Sequence, residues 1–129
     1  MKSYLLDTHT LLWWIADSPR LSAKAREIIG QRRNPCFFSL ASSWEMSIKA
    51  SLGKLRLTIP VREFVVTHLA ANGFKQLDLN LNHVARVESL AWHHRDPFDR
   101  LLVAQAMEEN LSIISADQSM TLYDIDCVW

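Results

Sequence analysis

A chain of 129 residues that is 49% apolar, with three glycines and four prolines, fits one helix-rich domain with a single core and excludes a disordered chain. No uncharged apolar run approaches the ~20 residues that cross a bilayer. Met1-Lys2-Ser3 leads directly into a strand with no signal-like apolar segment, so a cytoplasmic location without membrane contact is the expectation. Zero net charge conceals an asymmetry, because residues 1–62 carry ten Lys/Arg against four acids and residues 63–129 carry four against ten.

The elements alternate. Tyr4-Leu5-Leu6 is a short apolar run of the buried-parallel-strand type, and a helix follows over Thr10 to Ala16. Ser22 suits the N-cap of a helix to about Ile29, ended near Gly30. Cys36 to Ser39 is the second strand. Ala41 to Leu52 is a helix with Trp44, Ile48 and Leu52 at four-residue spacing, which predicts a stripe packed on the sheet, and Gly53 is its stop. Pro60 suits the first turn of a helix to about Ala71, ended by Asn72-Gly73. Lys75 to Leu79 is the third strand, and Asn80 caps a helix to about Trp92. Asp96-Pro97 opens another, with Asp96 as N-cap and Phe98, Leu101, Leu102 and Met107 on its apolar face. Ser112 to Ser115 and Asp126 to Val128 are the fourth and fifth strands. Strand–helix alternation predicts an α/β protein with a parallel sheet covered on both faces, residues 1–129 forming one domain.

Within this frame four acids occupy comparable places. Asp7 and Asp117 follow strands and so lie at the carboxyl edge of the sheet, where open α/β sheets place their chemistry. Glu45 stands in the first turns of the helix that leaves the second strand. Asp99 stands in the first turn of a helix that must start near the same edge to feed the fourth strand. Four carboxylates drawn to one rim repel one another, and a divalent cation relieves that repulsion.

The segments Leu5-Leu6-Asp7-Thr8-His9, Trp44-Glu45, Asp99-Arg100-Leu101-Leu102-Val103-Ala104 and Ile114-Ser115-Ala116-Asp117 together resemble the PIN-domain nucleases, and most closely the VapC-type toxins of toxin–antitoxin pairs. The resemblance spans essentially the whole chain. It places the family's acidic positions on Asp7, Glu45, Asp99 and Asp117, with Ser115 at the hydroxyl position before the last acid. It implies a three-layer α/β/α fold with a five-stranded parallel sheet in the order 3-2-1-4-5. It further implies Mg2+- or Mn2+-dependent cleavage of RNA, a homodimer, and neutralisation by a small antitoxin whose C-terminal segment wraps the toxin. In that strand order Cys36 and Cys127 have two strands between them, roughly twice the reach of a disulfide, and both are expected as buried hydrophobes in a reducing compartment.

The chemistry suits the residues. Hard divalent cations prefer carboxylate and water oxygens, and they activate water and stabilise a leaving oxygen in phosphodiester hydrolysis. Asp7 and Asp99 are the first choice as direct ligands, Asp117 as a ligand of a second metal or one acting through water, and Glu45 as the group that positions or deprotonates the attacking water. Each acid also has a plainer reading. Glu45 and Lys49 form an i, i+4 surface pair, Asp99 complements a helix dipole, and Asp117 caps a short helix. Asp96 reads as a cap, with a metal role as its alternative. The basic residues of the first half, among them Lys49, Lys54 and Arg56, are either a phosphate-attracting surface or ordinary solvated faces. His93-His94-Arg95 reads as a solvated loop and His9 as a residue of the site's rim. Trp13 and Trp14, adjacent on one helix, cannot both face the core.

Two competing functions follow. Aspartyl-phosphate chemistry at Asp7 would need a second Asp two residues on, where His9 stands, or a late Lys, and the last Lys is Lys75. The other is a catalytically silent PIN-like module that binds RNA or a protein.

Overall fold

The first strand, β1 (Tyr4–Leu6), lies at the centre of a five-stranded parallel sheet of order β3-β2-β1-β4-β5. The other strands are β2 (Cys36–Ser39), β3 (Lys75–Leu77), β4 (Ser112–Ile114) and β5 (Cys127–Val128). The computed structural model describes residues 2–129. Leu5 pairs with Phe37 on one side and Ile113 on the other. Every residue of β1 and β4 is buried, as expected for central parallel strands covered on both faces. The two edges are blunted: β3 exposes Lys75 and Gln76, and β5 has only two residues.

Side chains of β1 alternate between two cores. Tyr4 and Leu6 join Phe38, Ile114 and the apolar faces of α1 (Thr8–Ile15), α2 (Ala23–Gly30) and α4 (Val61–Asn72). Leu5 points the other way, to Ile113 and the helix α6 (Pro97–Glu109). Complete burial of a Leu or Ile side chain stabilises the fold by about 1.5–3 kcal/mol, so the alternation fixes the register of β1. Helix α3 (Leu40–Ser51) bridges the layers, giving Met46 to the first core and Ala41 to the second. Helix α5 (Leu81–Arg86) packs on α6, where His83 Nε2 lies 2.9 Å from Glu109.

The caps explain the boundaries. Ser22 accepts the Ala25 N–H, Ser39 the Ala41 N–H, and Asn80 and His83 form a reciprocal capping box. Gly73, at φ 68°, ends α4 in the left-handed conformation that a side chain would strain.

Several boundaries and one face differ from the sequence reading. Helix α1 begins at Thr8, because Asp7 is its N-cap. Pro60 occupies the N-cap of α4 rather than its first turn. Strand β3 ends at Leu77, and α5 ends at Arg86, followed by a 3-10 turn over Val87–Ser89. The carbonyls of Leu90 and Ala91 accept hydrogen bonds from the buried Arg100 guanidinium instead of continuing a helix to Trp92. The Trp44–Ile48–Leu52 stripe of α3 does not face the sheet: Trp44 is 57% and Leu52 62% exposed. The buried face is Ala41, Ser42, Glu45 and Met46. Its small residues let α3 approach α6, where Trp44 rests edge-on against Phe98 at 5.1 Å. Cys36 and Cys127 form no disulfide; Cys36 is buried as expected, whereas Cys127, on the two-residue edge strand β5, is only half-buried. Among the described residues no helix is long and apolar enough to cross a membrane.

Candidate active site

Four segments deliver their acids to one cleft of about 370 Å³, lined by Asp7, Glu45, Asp99 and Asp117 together with Asp96 and Lys49. Each acid is held by local backbone logic. Asp7 leaves β1 with its N–H on the Ile114 carbonyl. Its Oδ1 accepts the Thr8 N–H at 2.7 Å, and its Oδ2 accepts the Ser115 hydroxyl at 2.6 Å. The Ser115 hydroxyl oxygen in turn accepts the Asp117 N–H at 3.0 Å, so one serine ties the loop after β4 to the end of β1. Thr8 donates its hydroxyl to Glu45 Oε1 at 2.7 Å, and Lys49 Nζ lies 2.9 Å from Glu45 Oε2. Glu45 is therefore a buried carboxylate within the cleft, and its i, i+4 partner is held there with it.

Asp96 and Asp117 cap short-range structure while facing the same space. Asp96 Oδ1 accepts the N–H groups of Phe98 and Asp99 at 2.9 and 3.1 Å, and this cap points the first turn of α6, with Asp99, into the cleft. Asp117 Oδ1 accepts the Ser119 N–H and hydroxyl.

The electrostatics follow from crowding. Burial, reinforced by Asp7, Asp96, Asp117 and Glu45, pushes the Asp99 carboxyl up to about 8. Burial raises Asp7 as well, against the hydrogen bonds from Ser115 and Thr8. Burial also acts upward on Asp117, but its two bonds from Ser119 and the nearby His94 outweigh it and hold the group below the ordinary carboxylate range. The hydrogen bond to Glu45 raises the Lys49 ammonium, and Asp96 and Asp99 add to the effect. The cleft is short of positive charge, and all its charged acceptors are hard oxygens. That donor set suits Mg2+ or Mn2+.

One residue beside the cleft escapes the sequence reading. His94 does not belong to a solvated loop: its Nε2 lies 3.6 Å from Asp99 Oδ2, and ligand-capable atoms of His94, Asp99 and Asp117 all fall within 4.8 Å of one another. Its only signal in the chain is its place two residues before Asp96, the N-cap of α6. His93, by contrast, is exposed and lies edge-on to Tyr123. His9 stands exposed at the rim against Trp13, and Trp13 and Trp14 are both half-buried. Of the basic residues, Lys49 is occupied by Glu45 and Arg26 by Asp17, while Lys54 lines a shallow depression beside the cleft with Lys49 and His9.

The fold and the acidic cleft together define a PIN-type nuclease architecture. The PIN domain model matches residues 4–126, and the chain belongs to that family. It is 26% identical over 121 residues to Ribonuclease VapC22 of Mycobacterium tuberculosis, covering 93% of this chain and 91% of that protein. Its fold is shared with the DNA-bound VapBC of Salmonella typhimurium at TM-score 0.71 and 15% identity, covering 99% of this chain and 98% of that one. VapBC2 of Rickettsia felis, bound to a promoter DNA fragment, aligns at TM-score 0.70 and 13% identity over 97% and 96% of the two chains.

Proposed function

We propose that this protein is a Mg2+- or Mn2+-dependent endoribonuclease acting as the toxin of a toxin–antitoxin pair. The observation that carries the reading is the convergence of Asp7, Glu45, Asp99 and Asp117 in one cleft, where burial and mutual repulsion drive Asp99 to about 8. Asp7 and Asp99 would hold the cation directly, and Asp117 would hold a second one or act through water. When bound, the cation supplies Lewis acidity to the phosphodiester and lowers the pKa of water. Glu45 contributes the base: each of its oxygens keeps a lone pair beyond the bonds to Thr8 and Lys49, so it can orient the attacking water and take its proton. Attack forms a new P–O bond and breaks the ester bond opposite, and the departing oxygen takes a proton from solvent water. Lys49 limits the negative charge the cleft presents to an incoming phosphate.

The name of the M. tuberculosis relative and the VapBC assemblies that share this fold support a small antitoxin partner. A homodimer belongs to the same proposal. RNA cleavage assays with Mg2+, Mn2+ or EDTA, on the wild type and Asp7→Asn, test the activity. Cleavage that needs metal and falls by about a thousandfold in the variant, ~4 kcal/mol of transition-state stabilisation, is the expected result. Undiminished cleavage by Asp7→Asn would refute the mechanism, and no cleavage by the wild type would favour a silent binding module.

A further inference from the structure

Among the described residues, the buried cation of α6 has no carboxylate partner. Arg100 is 1% exposed, and its Nη1 donates to the carbonyls of Ala91 at 2.8 Å and His94 at 3.4 Å and to the Tyr123 hydroxyl at 3.1 Å. Nη2 donates to the Leu90 carbonyl at 3.4 Å, and the Trp92 ring covers the guanidinium at 3.8 Å. The segment from Leu90 to His94 is therefore wrapped around Arg100, and His94 is the residue it places against Asp99.

The hydrogen-bond partners point to the tautomer in which the Tyr123 hydroxyl donates to His94. A guanidinium can only donate, so the Tyr123 oxygen accepts from Arg100. Among the described residues the Tyr123 hydroxyl proton then has one acceptor, His94 Nδ1 at 2.7 Å. An Nδ1 that accepts leaves the neutral ring's proton on Nε2. That Nε2 is enclosed, makes no hydrogen bond, and faces Asp99 Oδ2 at 3.6 Å. This is too long for a hydrogen bond, but a shift of roughly 0.7 Å would bring it to charge-assisted length when Asp99 is ionised.

We propose that Arg100, Tyr123 and His94 form a relay in which His94 is a positioning residue: its Nε2–H holds Asp99 in the orientation that binds the divalent cation. Carboxylates that ligate metals are commonly oriented by such outer partners, whose loss costs 10–100-fold in metal affinity. The inference rests on the metal-dependent reading above and adds residues that the acidic set alone does not name.

Two measurements test it. Long-range proton–nitrogen NMR on histidine-labelled wild type, with and without Mg2+, reads the tautomer directly, whatever the variants do. The expected result is a His94 ring protonated on Nε2; protonation on Nδ1 alone would overturn the relay. Mn2+ titration followed by electron paramagnetic resonance supplies the second readout. His94→Leu should weaken Mn2+ binding by about tenfold or more, and His94→Gln, whose amide N–H lies close to the Nε2 position, should restore it to within about threefold. Wild-type affinity in His94→Leu, or equal loss in both variants, would overturn the proposal. A wild type that binds no Mn2+ counts against the metal site itself, and the tautomer then still decides whether the relay exists.

Discussion

Asp99→Asn should stabilise the metal-free protein, and by an amount that depends on pH. The carboxyl of Asp99 is raised from 3.8 to about 8 in the folded state. A raised acid contributes stability that is fully present below its unfolded value and is lost as pH climbs through the folded value. The window is therefore about pH 4 to 8. One pKa unit corresponds to ~1.36 kcal/mol, so the loss reaches about 4 kcal/mol by pH 7 if nothing relaxes. Water entering the open cleft and movement of the exposed Asp96 and Asp117 reduce this to about 2–3 kcal/mol, or roughly 10 °C in Tm for a domain of this size. Asn is close to isosteric and opens no cavity, so its Tm should match the wild type near pH 4 and exceed it increasingly up to pH 8. Melts in EDTA across that range measure the difference. Saturating Mg2+ or Mn2+ should raise the wild-type Tm by binding the folded state and move the variant much less. Parallel pH profiles for the two proteins would refute the claim that Asp99 is held against its neighbours' charge.

Other perturbations separate the acids by role. Asp96→Ser should retain most activity and cost under about 1 kcal/mol of stability, because Ser can still accept the Phe98 and Asp99 N–H groups. Asp99→Asn should remove metal-dependent cleavage, and side-by-side kinetics compare the two. An inactive Asp96→Ser beside an active Asp99→Asn would mean that cap and ligand are exchanged. Charge reversal of the exposed Lys54 and Arg56 should weaken RNA binding and lower its salt slope by about 0.7 for each phosphate that is no longer neutralised. An unchanged slope would make both ordinary surface charges.

The parts of the site that are legible in the chain are those fixed by backbone topology. Asp7 and Asp117 follow strands, and Asp96-Pro97 announces the start of the helix that carries Asp99, so their edge positions follow from strand direction alone. Glu45 reaches the cleft for a different reason from the one its neighbours suggest. The Trp44–Ile48–Leu52 spacing looks like a core stripe, yet the close approach of α3 to α6 selects Ala41 and Ser42 for the interior and leaves Trp44 on Phe98. Helical periodicity identifies an apolar face but not which of two faces a neighbour admits. His94 is illegible because its environment is tertiary. The tyrosine that orients it lies 29 residues away, and the arginine that folds its loop is a charged residue with no sign in the sequence of being buried.

That the acidic cleft holds a divalent cation is tested most directly by a crystal soaked in Mn2+, with data collected at the manganese absorption edge. A strong anomalous peak between the carboxylates of Asp7 and Asp99 is the expected result. No peak in the cleft, or one confined to the exposed acids Asp124 and Asp126, would contradict it.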